Sequence, residues 1–213
     1  MTTSTENSAR PAEHSIRLFK NDFMEALTHV HPIVPLLFWS PLVVVLYWRT
    51  AYIHELALLP VLGISLLGLV IWTLTEYCAH RFLFHYPARS QFGKWLVFMF
   101  HGVHHDAPRD KSRLVMPPAG AVILMAMFVA IFSVFVPRPW IEPFLAAFTC
   151  GYLIYDYIHY ATHHFPMRNG LARYLKKYHM AHHFAGEERR FGVSSPLWDY
   201  IFGTAPTEPG KDA

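Results

Sequence analysis

Long apolar stretches separated by short polar segments dominate the pattern of this chain. Three of them carry no charged residue and reach roughly the 20 residues that a helix needs to cross a membrane: Ala26–Trp48, Leu56–Thr75 and Leu114–Pro137. A fourth, Pro143–Tyr155, is shorter, but it also spans if it continues through Tyr160 with Asp156 facing protein instead of lipid. The pattern predicts about four transmembrane helices.

Composition supports this interpretation. Of the 213 residues, 53% are hydrophobic and 15% are charged, which is too apolar for an ordinary soluble domain. We therefore expect an all-α integral membrane protein. The predicted organisation is a flexible segment over residues 1–25, a membrane-embedded domain over 26–204 and a flexible tail over 205–213.

The positions of lysine and arginine predict the orientation. Sixteen of the eighteen lie before the first stretch, between the second and third, or after the fourth, whereas only Arg49 and Arg138 lie in the opposite loops. Because short cytoplasmic loops carry the excess of positive charge, both termini are expected in the cytoplasm. The net charge of +3 then fits contact with anionic lipid better than binding of nucleic acid, and no nucleic-acid partner is expected.

Ten of the fifteen histidines fall in four clusters, each adjoining an apolar stretch on the predicted cytoplasmic side. Imidazole is the commonest metal ligand in proteins, and histidines that serve only packing do not repeat at short fixed spacings. The clusters predict a metal centre in a cytoplasmic helical cap. They are HRFLFH (His80, His85), HGVHH (His101, His104, His105), HYATH (His159, His163) and HMAHH (His179, His182, His183).

Spacing predicts how the clusters present their rings. Residues three and four apart share one face of a helix, so the last three clusters fit intact helices. His80 and His85 are five apart, about 140° around an α-helix, so this helix must unwind near Phe84 or end before the metal. Ten donors suit two metal ions, with about five ligands each and an open position on both.

Three acidic residues near the clusters, Glu76, Asp106 and Asp156, are expected to hydrogen-bond to ligating histidines, not to ligate themselves. His164, beside His163, is an alternative ligand. Imidazole alone does not choose among zinc, copper, nickel and iron. A two-metal cluster at a lipid surface, without an obvious serine or cysteine nucleophile, favours oxygen chemistry on a hydrocarbon.

Two other classes of protein use intramembrane histidine. A metal or proton transporter would place its site near the bilayer midplane, whereas these histidines cluster at one edge. A haem-binding electron carrier would place paired histidines on facing helices inside the spans, and it needs fewer than ten.

The order of the clusters, with the segments His101–Pro118 and Phe191–Thr204, resembles the fatty acid hydroxylase and sterol desaturase superfamily, and most closely its fatty acid 2-hydroxylases. The resemblance covers roughly residues 72–204. It implies a membrane-embedded di-iron enzyme that uses O2 and two electrons to hydroxylate C2 of a long acyl chain, in a free fatty acid or a lipid. The implied metal ligands are His80, His85, His101, His104, His105, His159, His163, His179, His182 and His183.

The resemblance also implies that zinc can occupy this site in purified protein. Eukaryotic fatty acid 2-hydroxylases commonly begin with a cytochrome b5 domain, whereas only about thirty residues precede the first stretch here, so a separate electron-transfer protein is expected. Carotenoid and sterol enzymes use similar histidine clusters and stay open as alternatives. Spacing does not decide between hydroxylation and desaturation.

Overall fold

Every regular element in the described part of the chain is a helix. The computed structural model describes residues 15–186 and 188–206, and no strand occurs in these ranges, so the prediction of an all-α protein is confirmed there. In chain order the helices are α1 (Asp22–Ala26), α2 (Ile33–Tyr52), α3 (Leu58–Ala79), α4 (Gln91–Val97), α5 (Val103–Asp106), α6 (Pro118–Phe135), α7 (Ile141–His164), α8 (Gly170–Ala185) and α9 (Leu197–Ile201), with π-helical turns at His80–Phe84 and Phe98–Gly102.

Three helices are long and apolar enough to cross a membrane: α2, α3 together with the π-helical turn that extends it to Phe84, and α6. They correspond to the first three predicted spans. The first begins at Ile33 instead of Ala26. Pro32 occupies the N-terminal cap position of α2, and the residues between α1 and Pro32 are not helical. Proline is tolerated at a helix start, where its missing amide hydrogen has no intrahelical partner.

Large apolar side chains cover the outer surfaces of these three helices. More than half of each is exposed at Leu37, Leu59, Leu66, Ile123 and Val134. Soluble proteins rarely expose apolar surface on this scale, whereas lipid accepts it. The surface indicates a membrane protein.

Helix α7 lies at the centre of the bundle, with α2 and α3 packed along it. It has 24 residues, and fourteen of them are buried, from Ile141 to Thr162. Asp156 is 2% exposed, so its carboxylate faces protein, as the prediction of a fourth span requires. Because α7 carries Glu142, Asp156 and three histidines, it is not among the three most apolar helices.

Glycine allows α3 and α7 to cross closely. A side chain at Gly68 would come 2.5 Å from a backbone oxygen of α7, and one at Gly151 would come 2.6 Å from Cβ of Trp72. Beside this crossing the Trp72 ring packs edge-on against Phe148 and Tyr152, with centroids 5.1 Å and 5.5 Å away. The crossing fixes α7 against α3, and with it the relative positions of the histidines at their carboxyl ends.

Residues 15–30, here called the N-terminal strap, are tied to the molecule. Glu25 accepts hydrogen bonds from the amides of Leu18 and Phe19, at 2.9 Å and 2.8 Å, and the Val30 amide donates to the Ser112 carbonyl at 2.7 Å. Of the predicted flexible segments, residues 1–14 and 207–213 lie outside the described residues. The strap covers the end of the bundle where the histidines gather.

Candidate metal centre

The two long helices α7 and α8 carry five of the ten predicted ligands. His159 and His163 lie one turn apart near the end of α7, and His179, His182 and His183 lie in the last two turns of α8. Residues four apart share a helix face, so His159 with His163 and His179 with His183 point the same way. Their ring centroids are 5.2 Å and 4.6 Å apart.

His80 and His85 come together through a π-helical turn. The His85 amide donates to the His80 carbonyl at 3.1 Å, a hydrogen bond across five residues. Such a turn is wider than an α-helical one and is often found at functional sites. It places the two ring centroids 5.0 Å apart, which an α-helix would not allow. The expected unwinding near Phe84 therefore takes this form.

A second π-helical turn carries His101. The spacing of HGVHH predicts an intact helix, but the structure places His101 in the turn Phe98–Gly102, with His104 and His105 following in α5. That expectation was wrong for this cluster. Nothing in the spacing distinguishes the two geometries, because histidines three and four apart can be brought together by either.

The ten imidazoles converge as two groups of five. Within each group one ring nitrogen per histidine lies within 4.8 Å of every other. The loop-braced group comprises His80, His85, His101, His105 and His182, and the helix-borne group comprises His104, His159, His163, His179 and His183.

The separations between Nε2 atoms fit a bound metal ion. In the loop-braced group His101 lies 3.0 Å from His80 and 2.9 Å from His105. In the helix-borne group His104 lies 3.0 Å from both His159 and His183. Metal–nitrogen bonds of about 2.1 Å, about 90° apart, put neighbouring ligand nitrogens about 3.0 Å from each other. Each group could hold a metal ion.

The surroundings keep these rings neutral. Burial, reinforced by neighbouring imidazoles, lowers the pKa of His85 and of His182 to about 4 and holds that of His104 well below its usual value. A neutral imidazole keeps a lone pair for a metal, whereas an imidazolium does not. Both groups therefore offer nitrogen donors near neutral pH.

Backbone carbonyls orient two members of the loop-braced group. Nδ1–H of His80 donates to the Phe191 carbonyl at 2.5 Å, and Nδ1–H of His182 donates to the Arg189 carbonyl at 2.7 Å. A proton held on Nδ1 leaves the Nε2 lone pair directed into the group, as is usual for ligating histidines.

Comparison with known proteins identifies the family. A model of the fatty acid hydroxylase family matches residues 65–204. The chain belongs to that family. The resemblance expected from the histidine clusters is confirmed, and it extends over most of the described residues.

Several known proteins are similar to this chain. Dihydroceramide fatty acyl 2-hydroxylase FAH1 of Arabidopsis thaliana is 39% identical over 193 residues, covering 90% of this chain and 80% of the relative. Fatty acid 2-hydroxylase of Rattus norvegicus is 37% identical over 216 residues, with 92% and 58% covered. Ceramide very long chain fatty acid hydroxylase SCS7 of Saccharomyces cerevisiae is 38% identical over 193 residues. That match covers 89% of this chain and 49% of the yeast protein. The chain therefore spans about half of the yeast relative and about three fifths of the rat relative.

The fold of this chain is similar to a solved structure as well. That structure is described as full-length scs7p with only the hydroxylase domain visible. The TM-score is 0.82 at 38% identity, and the match covers 92% of this chain and 72% of the other.

The three predicted acidic partners have different positions in the structure. Glu76 accepts hydrogen bonds from the amides of Val193 and Ser194, each at 2.7 Å, and from the Ser194 hydroxyl. It thus supports His80 through the loop that carries the Phe191 carbonyl. Asp106 is exposed at the end of α5.

Asp156 lies in the wall of a cavity at the metal centre. Its carboxylate is fully enclosed, and the Tyr152 hydroxyl lies 3.4 Å from it. No hydrogen bond between Asp156 and a histidine is found among the described residues.

Asp199 is a buried residue that the sequence reasoning missed. Its carboxylate accepts from the amides of Phe191 and Gly192, at 2.9 Å and 2.8 Å, and from the Thr204 hydroxyl at 2.7 Å. Asp199 and Glu76 therefore hold the two halves of one loop. The sequence did offer one signal for it, because Asp199 is the single acidic residue within the aromatic segment Phe191–Thr204.

A cavity of about 290 Å³ opens onto both histidine groups. His101, His104 and His159 lie in its wall, together with residues of the strap. An apolar cavity of about 70 Å³ adjoins it, and Phe84, Met116 and Tyr155 line both. The Tyr155 ring also stacks on His159, with centroids 5.7 Å apart. Tyr155 and the cavity were not foreseen from sequence.

Proposed function

We propose that this protein is a di-iron, O2-dependent membrane hydroxylase that inserts a hydroxyl group on a long acyl chain, at C2 of a fatty acid or of a fatty-acyl lipid. The observation that carries the proposal is the pair of five-histidine groups beside a mainly apolar cavity. The names of the relatives support an acyl substrate, since they are fatty acid, dihydroceramide and ceramide hydroxylases.

The ten histidines of the two groups are the proposed metal ligands. Imidazole nitrogen suits iron and also zinc, so zinc is expected to occupy the same positions in some preparations. When bound, two iron ions supply the redox chemistry by which one oxygen atom enters a C–H bond as hydroxyl and the other leaves as water, with two electrons and two protons consumed. The five-fold donor sets leave room for a further ligand at each ion.

The protein's own residues position the chain and exclude water. The 290 Å³ cavity is lined by apolar side chains of the strap, such as Leu18 and Phe19, and by Met116 and Phe84. Such walls keep bulk water from an oxidising centre. Tyr155 and Asp156 are the polar side chains that α7 contributes to this wall, beside His159. An acyl chain lying here has carbons within reach of both histidine groups.

We also propose the membrane arrangement. Helices α2, α3, α6 and α7 cross the bilayer, and the histidine groups form a cap on the cytoplasmic side with both termini. The distribution of lysine and arginine supports this sidedness. Single cysteines placed at Lys177 and at Arg138, in a chain without its native cysteines, test it in intact spheroplasts. Labelling by an impermeant maleimide is expected only at position 138, and labelling at 177 would reverse the orientation.

Electrons are proposed to come from a separate carrier protein. Purified, iron-loaded protein is accordingly expected to turn over only when an electron-transfer protein is added. Product formed with O2 and a small-molecule reductant at the same rate would contradict that dependence.

Lipid mass spectrometry of cells that express this chain tests the proposed function. The expected result is a gain of one oxygen on acyl chains, located at C2. His104→Ala is expected to abolish it, because His104 contacts His159 and His183 within the helix-borne group. The matched control is His31→Ala, since His31 is an exposed histidine outside both groups.

Each other outcome has a clear meaning. Loss of two hydrogens instead of a gain of oxygen would assign a desaturase, and oxygen on sterol or carotenoid would assign the alternative substrates. Retention of product in the His104 variant would contradict the role of the metal centre.

A further inference from the structure

Arg113 is a buried arginine beside the metal centre, and within the described part of the chain one nitrogen of its guanidinium has no partner. Its side chain is 3% exposed. Nε donates to the Ser15 hydroxyl at 3.0 Å and lies 3.5 Å from Asp110. Nη2 contacts the Glu25 carboxylate and lies 2.8 Å from Nε2 of His29. Nη1 is buried with no hydrogen-bond partner among residues 15–186 and 188–206.

An unpaired buried donor is costly, and the cost is greater for a charged group. Arg113 lines the same cavity of about 290 Å³ as His101, His104 and His159. Most other side chains of this wall are apolar, among them Met24, Leu27 and Leu114. A ligand that entered the cavity would meet a mainly apolar wall in which Arg113 is the arginine.

We propose that Nη1 of Arg113 hydrogen-bonds the carbonyl oxygen at the polar end of the acyl substrate and so determines which carbon is presented to the two histidine groups. This inference rests on the proposed hydroxylase function. A saturated chain offers no other feature by which one methylene can be told from the next. A fixed carbonyl limits the carbons that reach the histidines to those next to it.

The charges around Arg113 select the kind of carbonyl. Glu25 and Asp110 are the two carboxylates that pair with this one guanidinium, and both come from the elements packed against it. Their combined charge exceeds that of Arg113, so a further carboxylate at Nη1 would be repelled. A neutral amide carbonyl meets no such repulsion. Arg113 therefore favours an N-acyl lipid over a free fatty acid.

Arg113 also fastens the strap, and the variants are chosen to separate the two roles. Arg113→Lys keeps a positive charge for Glu25 and Asp110 but removes Nη1, the terminal nitrogen that has no partner among the described residues. Arg113→Gln removes the charge. Glu25→Gln is the matched control, because it weakens the same fastening and leaves Nη1 in place.

The experiment uses membranes that contain the full-length, iron-loaded protein with its electron donor, supplied separately with an N-acyl amide lipid and with the free fatty acid of equal chain length. The position of the hydroxyl group is read by tandem mass spectrometry, and KM and kcat are measured. For the amide lipid, Arg113→Lys is expected to raise KM about tenfold, the effect of one lost hydrogen bond, and to spread the hydroxyl beyond C2. Glu25→Gln is expected to keep the product at C2.

The outcomes separate this inference from the proposed function. No hydroxylated product from the wild-type protein would defeat the proposed function itself. Wild-type product at C2, with unchanged KM and position in Arg113→Lys, would overturn the role of Arg113. Equal spreading in Glu25→Gln would also overturn it, because the strap alone would then explain the effect. If Arg113→Gln harmed the fatty acid reaction more than the amide reaction, the preference for a neutral carbonyl would be wrong.

Discussion

The two histidine groups reach the same arrangement by different means. In the helix-borne group, four of the five members lie on α7 and α8, where a spacing of four residues aligns each pair. In the loop-braced group, His80, His85 and His101 depend on π-helical turns, and only His182 comes from a long α-helix. One group is built by helix periodicity, and the other by departures from it.

Their surroundings differ in the same way. Phe191 and Arg189 supply carbonyls to His80 and His182 in the loop-braced group. In the helix-borne group His163 hydrogen-bonds to the Pro108 carbonyl, but Nδ1 of His179 and of His183 has no hydrogen-bond partner among the described residues. Packing between rigid helices can hold a ring in place, whereas a ring on an irregular segment needs a hydrogen bond to fix its direction.

The strongest test of the difference between the two groups uses His182 and His183, which are adjacent in sequence but belong to different groups. Replacing either with alanine is expected to abolish product and to leave about one metal ion per chain. His182→Ala removes one of the five donors of the loop-braced group, and His183→Ala removes one of the five donors of the helix-borne group. Metal content by mass spectrometry and product by lipid analysis measure both effects.

The remaining ion is expected to behave differently in the two variants. In His183→Ala the intact group is the loop-braced one, whose ligands are oriented by carbonyls, so the ion should leave more slowly when a chelator is added. Equal rates of loss in the two variants would show that the loop contributes nothing to retention.

The contrast also explains what the sequence could predict. Spacing alone aligns His159 with His163 and His179 with His183, and apolar length alone locates α2, α3 and α6. The burial of Asp156 followed from the cost of a carboxylate in lipid. These features depend on local periodicity and on transfer energies, and both are properties of the sequence itself.

Other features depend on contacts between distant segments. The π-helical turn at His101 leaves no trace in the spacing, and the Phe191 carbonyl is a backbone group that any residue would supply. Arg113 looked like one more cytoplasmic basic residue, and its burial beneath the strap arises from a contact with Glu25, 88 positions away in sequence. Such tertiary pairings cannot be obtained from one sequence by local rules.

A smaller effect is expected from the support of the loop. Glu76→Gln keeps the size of the side chain and one carbonyl oxygen for the Val193 and Ser194 amides, but it removes the carboxylate charge and puts an NH2 group against the Ser194 hydroxyl. The loop would loosen, and the Phe191 carbonyl would hold His80 less firmly. Product formation and metal affinity are expected to fall on the order of 10- to 100-fold, which is the usual cost of losing an outer hydrogen-bond partner.

Asp106→Asn is the comparison for that variant. Glu76 and Asp106 are both acidic and both close in sequence to a histidine cluster, but Asp106 is exposed whereas Glu76 is 4% exposed. If nearness of a negative charge mattered most, the two variants would lose similar activity. If hydrogen bonding to the loop is what matters, only Glu76→Gln should release metal, and it should do so from the loop-braced group while the helix-borne group keeps its ion.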